Sequence, residues 1–316
     1  MNLRETIDQY ILWRRAHGAK FTGSATLLRR FLQHANGDAA CDAVEMVQVL
    51  SFVAGQGPLT RYRQNKHGAL ASFWRYAISR GHATRSPLPL SEPKPPPRTP
   101  PYIYSRSELQ RLFDPANAAI CRCSETHLDA VTFRTLIILL YAAGLRYCEA
   151  TKLTLADVDM AEAVLTVRDT KFYKTRLVPM GPQLVTVLGG YITFRRRHSF
   201  AEGSSALLLS NRNGSPLAST TVQKAFDTLR RVAGVHNVSG PRQVPRLHDL
   251  RHSFAVHNLT AWYREGADVQ RLLPALSIYL GHSDLEGTKV YLSMTPELLQ
   301  QAALRFARFA GGGAHA

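Results

Sequence analysis

Between Pro87 and Pro101 the chain reads PLPLSEPKPPPRTPP, eight prolines in fifteen residues. Each proline removes a backbone donor and fixes φ, so neither a helix nor a central strand can run through this stretch. An extended, polyproline-like connector is expected instead, reaching about 45 Å at roughly 3.1 Å per residue. A plain stiff spacer would satisfy the same composition. Two folded regions follow, residues 1–86 and 102–310, and the closing GGGAHA of 311–316 is expected to be a disordered tail.

The first region reads as a small helical domain. Apolar residues recur at helical spacing over Leu3–Trp13, Ala25–Leu32, Val44–Val53 and Leu59–Ile78. Twelve Lys and Arg face five Asp and Glu within 1–86, a net charge of +7. The last helix carries Arg61, Arg63, Lys66 and His67 in its first turns and Arg75 further on, with Leu70, Phe73, Trp74 and Ile78 as its apolar face. A charge run is usually a solvated helix face. The bias of the whole region points these five residues towards phosphate.

The complete chain repeats the bias, with 39 Lys and Arg against 23 acids, a net charge of +16 and a pI near 10.1. Its partner should be polyanionic, either nucleic acid or an anionic membrane. The longest apolar run, Leu136–Leu145, is far short of the roughly 20 residues of a membrane span. No apolar signal core follows Arg4, Glu5 and Asp8, so a cytoplasmic, nucleoid-associated protein of bacterial type is expected. Cys41, Cys121, Cys123 and Cys148 are scattered as reduced thiols would be. Cys121, Cys123 and His127 lack a fourth ligand and metal-site spacing, so no metal and no cofactor are expected.

The second region should be mainly helical with a small β element. Ser105 with Glu108 is a capping-box start, Phe133–Ala143 a buried helix, and Leu145–Leu153 the beginning of the next. Strand-like runs at Val164–Arg168 and Thr175–Met180 flank Lys171, and helices dominate from Thr220 onwards. Four stretches carry polar residues of interest. GLRYCEATKL holds Arg146 and Glu149, TKFYKTRLVPM holds Lys171, LHDLRHSF holds His248, Asp249 and Arg251, and LGHSDLEGTKVYLS holds His282 and Tyr291. Each has an ordinary explanation alone: an i,i+3 ion pair, a solubilising turn lysine, a packed histidine, a core tyrosine. His248, Asp249 and His252 also imitate an H-D-x-x-H metal helix, but a third ligand is missing and Arg251 would sit beside the cation.

Taken in order, these motifs resemble the tyrosine recombinase (phage integrase) family over nearly the whole chain. The family signature is Arg, Lys, His-x-x-Arg, His or Trp, then Tyr, and Arg146, Lys171, His248 with Arg251, His282 and Tyr291 match it. The resemblance implies a helical core-binding domain and a mixed α/β catalytic domain closing as a C-shaped clamp on double-stranded DNA. It implies a 3′-phosphotyrosyl intermediate, with integration, excision or transposition as the outcome. A homo-oligomer on DNA follows, a tetrameric synapse joined through the helix of 295–310, with other recombinases as candidate partners.

The chemistry accounts for the residue types. Attack on a phosphodiester builds charge on the non-bridging oxygens, which the forked donors of Arg146 and Arg251 can meet where a Lys could not. His282 adds a donor. Tyr291 must shed a proton of pKa near 10 as it attacks, with His248 the candidate base, and Lys171 can protonate the departing 5′ oxygen. Glu149 and Asp249 are supporting acids. No phosphate-binding loop of the G-x-x-x-x-G-K-[ST] kind occurs, consistent with a bond-conserving reaction.

Arg251 and His282 stand 31 positions apart, longer than in compact chromosome-resolving members by roughly two helical turns. The segment reads as helix, turn at Gly266, helix, and suggests a mobile-element enzyme. Beyond Tyr291, Thr295-Pro296-Glu297 begins a helix with an apolar stripe of Leu299, Ala302, Ala303, Phe306 and Phe309 or Ala310. That stripe could dock on its own core, but insertion into a neighbouring protomer is favoured. Two other functions stay open: type IB topoisomerase-like DNA relaxation, and a non-catalytic DNA-binding accessory role.

Overall fold

The computed structural model describes residues 1–54, 60–89, 100–120, 128–168, 175–236, 244–282, 284–293 and 296–311. The chain divides into two compact units, Met1–Arg98 and Thr99–Ala316. The division falls inside the proline-rich run, most of which lies outside the described residues, as do Lys171, Cys121, Cys123, His127 and nearly all of the C-terminal GGGAHA.

The first unit is built from α1 (Leu3–Ala16), α2 (Thr22–Phe31), a 3-10 turn at Cys41–Ala43, α3 (Met46–Val53) and α4 (Arg61–Ser79). Asn2 caps α1 by accepting from the Glu5 amide, and the Glu5 carboxylate accepts in turn from the Asn2 amide. Leu3, Ile7, Tyr10, Leu28, Phe31, Leu70, Phe73 and Trp74 fill the core. Helix periodicity corrects the reading of α4 at two positions, His67 and Ile78. His67 is one turn before Leu70, and its side chain is buried rather than offered to phosphate. Lys66 donates to the Phe52 carbonyl at 2.7 Å and lies over the Phe52 and Tyr62 rings. Ile78, placed by sequence on the apolar face, is exposed.

The second unit opens with α5 (Arg106–Leu112), which starts at the Ser105–Glu108 capping box, then α6 (Pro115–Ile120) and α7 (Ala130–Ala142). Leu136, Ile137 and Leu139 of α7 are fully buried, making this helix the centre of the larger core. After α8 (Tyr147–Ala150) and a 3-10 turn at Leu155–Asp157 comes an antiparallel sheet of β1 (Val158–Asp159), β2 (Val164–Val167) and β3 (Arg176–Pro179). Its register pairs Val158 with Leu165 and Val167 with Arg176. Leu165, Val167 and Val178 face inwards while Leu177 is exposed, the alternation of a half-buried sheet. β1 is the strand that sequence missed, since two residues give no alternation to read.

Next come α9 (Pro182–Arg197), α10 (Ser219–Val232), α11 (Asp249–Arg264), α12 (Val269–Leu280), α13 (Glu286–Lys289), a 3-10 turn at Val290–Ser293, and α14 (Pro296–Gly311). α11 and α12 form the expected long hairpin, turning at Gly266 with φ +73°. α14 packs on α11 of its own chain through the fully buried Leu298. Of the stripe read from sequence, Leu299 and Phe306 are exposed in the single chain, and the contact buried against its own core is made by Leu298, one position earlier.

Candidate active site

Two glycines and two arginines lock the site together. α7 ends at Ala142 and the chain reverses through Gly144 at φ +57°, where a Cβ would lie 2.6 Å from the Phe254 ring. Two residues later Arg146 is the N-cap of α8. Gly281 ends α12 in the left-handed region at φ +65°, and a Cβ there would meet the Arg176 guanidinium at 2.8 Å. Only glycine fits either position without displacement. Their carbonyls serve the arginines. Arg251, 2% exposed, donates to Gly144 O at 2.7 Å and to Leu280 O at 2.5 Å. Arg146 donates to Gly281 O at 2.9 Å. Thus α11 is tied to the α7–α8 turn and to the end of α12, and that turn is tied in turn to the end of α12.

Glu149 is the counter-charge for this cluster. Its carboxylate accepts from Arg146 Nη1 at 2.7 Å, from the Arg146 amide at 2.9 Å, and from both Nη atoms of Arg176 at 3.1 and 2.9 Å. Arg251 Nη1 stands 3.8 Å away. Burial alone would raise the carboxyl pKa, but hydrogen bonds from Arg176 and Arg146 outweigh it and hold the value at about 2. Arg176 reaches in from β3 and also donates to Tyr279 O at 2.8 Å. Nothing local in the TKFYKTRLVPM run marks Arg176 as a partner of Glu149. For Arg251, burial and the neighbouring Arg146 lower the pKa to about 10, still cationic at neutral pH.

Two histidines contact Tyr291, and a third packs behind one of them. Its ring, on the 3-10 turn of Val290–Ser293, is almost fully buried. The hydroxyl lies 3.1 Å from His252 Nδ1, and the His282 ring stacks on the phenol with centroids 6.1 Å apart. His282 Nδ1 is 2.7 Å from Thr288 Oγ1, which sets the orientation of its ring. His248 meets His252 edge-on, with ring centroids 4.8 Å apart. Burial raises the Tyr291 pKa, while the charges of Arg251 and Arg146 and a hydrogen bond to Arg251 oppose it. All three histidines are pushed down, first by burial. His248 is lowered next by Arg251, His252 falls to about 3 with His248 and Arg251 contributing, and His282 falls to about 4 with Arg251 and Arg146 contributing.

The fold therefore gathers Arg146, Glu149, His248, Arg251, His282 and Tyr291 from positions scattered over 146 to 291. Asp249, also buried, turns instead to Arg246, accepting from its amide at 2.8 Å and its guanidinium at 2.9 Å. It anchors the entry into α11 and does not face Tyr291. His252 was read in sequence only as part of a metal-helix imitation, yet its ring is the one that touches the Tyr291 hydroxyl. Among the described residues no group of three or more His, Cys, Asp or Glu is placed to hold a metal ion. What the arrangement offers is an anion site of forked cationic donors beside a buried phenol, in surroundings where such donors act strongly. Each guanidinium has five N–H donors, so those not spent on carbonyls or on Glu149 remain available to an incoming anion.

Comparison with known proteins bears on this geometry. Residues 106–297 match the model of the phage integrase family. A Sinorhizobium fredii protein named as an integrase/recombinase, y4rB, is 36% identical over 308 residues, covering 96% of this chain and 97% of the relative. The tyrosine recombinase XerA of Pyrococcus furiosus is 29% identical over 280 residues, 88% of this chain and 84% of the relative. Among solved structures, the Tn1549 transposon integrase in complex with transposon right end DNA superposes with a TM-score of 0.68 at 18% identity, over 98% of this chain and 100% of that one. A lambda integrase dimer bound to a core site gives 0.60 at 16%, over 90% and 96%. These last two likenesses are of fold.

Proposed function

The chain belongs to the phage integrase family of tyrosine recombinases, and from that premise we propose how its own residues perform the reaction. The enzyme is a site-specific DNA recombinase. Tyr291 is the nucleophile: its oxygen attacks the scissile phosphorus and the P–O5′ bond breaks, leaving a 3′-phosphotyrosyl linkage. That linkage conserves the phosphodiester energy, so a 5′ hydroxyl from a second strand can reverse the step without ATP. Arg146 and Arg251 hold the non-bridging oxygens as charge builds on them, and His282 adds a third donor. Lys171 delivers the proton that the 5′ oxygen needs. The phenol proton passes to a histidine in the first turns of α11. Spacing nominates His248, whereas the nearest histidine nitrogen is that of His252.

One observation carries this reading: two guanidiniums braced against main-chain carbonyls stand with a buried phenol and an aligned His282. Such bracing means that little reorganisation is needed when charge develops. Phosphate contacts along the duplex fall to Arg61, Arg63, Lys66 and Arg75 of α4, Lys66 with the donors its ammonium does not spend on the Phe52 carbonyl. His67 is withdrawn from that set by its burial. In oligomerisation, α14 remains the joining element. Its exposed Leu299, Leu304 and Phe306 offer an apolar face to a second copy, and a tetramer on DNA is the assembly expected. No helix among the described residues is long and apolar enough to cross a membrane, and the cytoplasm is the compartment that suits the substrate.

The test is capture. A pool of randomised duplexes, each nicked just 3′ of the scissile position, should yield SDS-resistant protein–DNA adducts that persist in EDTA. Adducts lost in EDTA, or exchange of ends never seen between two captured sites, would count against a metal-independent recombinase. Relaxation of a single supercoiled circle without exchange would favour the topoisomerase alternative.

A further inference from the structure

Of the two α11 histidines that could take the phenol proton, His252 is the one in contact with a reacting atom. Its ring sits on the first turn of α11 next to Arg251, with Nδ1 3.1 Å from the Tyr291 hydroxyl. The ring is half-buried, edge-on to His248 on one side and 5.6 Å centroid-to-centroid from the phenol on the other. For Nδ1 to accept the phenolic hydrogen, the imidazole must be the neutral tautomer protonated at Nε2. Among the described residues no contact of this kind joins His248 to Tyr291.

Resting on the reading of Tyr291 as nucleophile, we propose that His252 is the catalytic residue that accepts the tyrosine proton. In the forward step the Tyr291 O–H bond breaks and the proton moves to His252 Nδ1. The phenolic oxygen forms its bond to phosphorus, and the P–O5′ pair leaves with the 5′ oxygen, which takes its proton from Lys171. His252 ends the step as an imidazolium and returns the proton to Tyr291 on religation.

The surroundings make this acceptance conditional on substrate. His252 faces His248, Arg246 and Arg251 from its own helix and the residues entering it, His282 from the turn after α12, and Tyr291 from the 3-10 turn. On α7, Tyr141 is engaged with His257 instead, and the described side chains of α14 include no titratable group. Burial and this cationic company keep His252 neutral in the free protein, with its pKa near 3. A phosphodiester bound by Arg251 brings negative charge to the same place, and an opposite charge favours the protonated imidazole. Proton acceptance and phosphate binding are therefore coupled, so the free enzyme keeps Tyr291 protonated until DNA is seated.

His252→Asn separates holding the hydroxyl from taking its proton, because the Asn Oδ1 can replace Nδ1 as hydrogen-bond acceptor but cannot carry a proton. On a duplex captured by the wild-type chain from the nicked pool, single-turnover cleavage by His252→Asn should be about 100-fold slower, the usual scale of general-base loss. Its rate should climb roughly tenfold per pH unit as hydroxide takes over, while the wild-type rate stays flat near neutrality. A His252→Phe variant, matched to the ring volume, should be slower still. Cleavage by His252→Asn within about threefold of wild type, with an unchanged pH profile, overturns the assignment. If the wild-type chain captures no duplex at all, the recombinase mechanism fails, and a DNA-free measurement decides the contact. In 15N-histidine NMR, Tyr291→Phe should shift the one Nδ1 resonance that disappears in His252→Asn. No shift in that resonance also overturns the proposal.

Discussion

The surface of the first unit and the Glu149 cluster of the second hold their cations in opposite ways. In the first, Arg4 and Arg29 are more than half exposed and so are the acids they pair with, Asp38 and Asp8. Such pairs contribute little to stability, and the arginines stay free to exchange an acid for a phosphate. In the second, Arg176 and Arg251 are 9% and 2% exposed and share a carboxylate that is itself 5% exposed. Charge in the first unit acts through its amount and can be screened by salt. Charge around Glu149 acts through fixed direction, and it must be satisfied by carbonyls and Glu149 or the fold would not tolerate it. The lesson is that one basic composition serves two purposes, attraction and transition-state binding, and burial separates them.

Arg251→Lys should break that contrast most severely. A lysine keeps the charge but cannot serve Gly144 O and Leu280 O while also forking onto phosphate. Single-turnover cleavage should fall by about 10³-fold, with DNA retention in a filter assay close to wild type. A parallel loss of retention would mean that the second unit also binds by charge amount.

Glu149→Gln comes next. It leaves Arg176 and Arg251 without their counter-charge and should cost about 3 kcal/mol in urea unfolding. The pH dependence has a definite sign. Since the folded carboxyl titrates at about 2 and the ordinary value is 4.5, Glu149 contributes stability above about pH 4.5 and loses it as pH falls towards 2. The wild-type protein should therefore weaken across that window, and Glu149→Gln should show a shallower decline. Identical acid profiles would remove Glu149 from its central place.

The smallest effects belong to the first unit. Arg61→Ala, Arg63→Ala and Arg75→Ala should each weaken DNA binding several-fold at low salt and reduce the slope of log K against log salt by about one. Cleavage at saturating DNA should be unchanged. A loss of cleavage with an unaltered salt slope would mean that these side chains direct the duplex rather than attract it.

Much of this was legible in the chain, and the misses have physical reasons. The GLR, HDLR and LGH stretches could be read because each combines a left-handed glycine or a helix start with its arginine or histidine, and those constraints are local. Arg176 could not be found in this way: its partners Glu149, Tyr279 and Gly281 lie 27 residues before and 103 to 105 residues after it. His252 was visible but ambiguous, as i,i+4 histidines are equally compatible with metal binding. His67 was recoverable, because it precedes Leu70 and Trp74 at helical spacing, but counting charges drew it to the surface set. For α14, periodicity identified a helix with an apolar side but could not say which residue would dock. Leu298 does, beside the exposed Leu299.

The central claim is that Tyr291 becomes covalently bound to DNA. Captured adduct should be digested with trypsin and nuclease, and the modified peptide sequenced by mass spectrometry. The account predicts a single nucleotide-bearing peptide with the phosphate on Tyr291, joined to the 3′ end of the cleaved strand, and no adduct from Tyr291→Phe. A phosphate on any other of the 12 tyrosines, a 5′ linkage, or an adduct from Tyr291→Phe would contradict it.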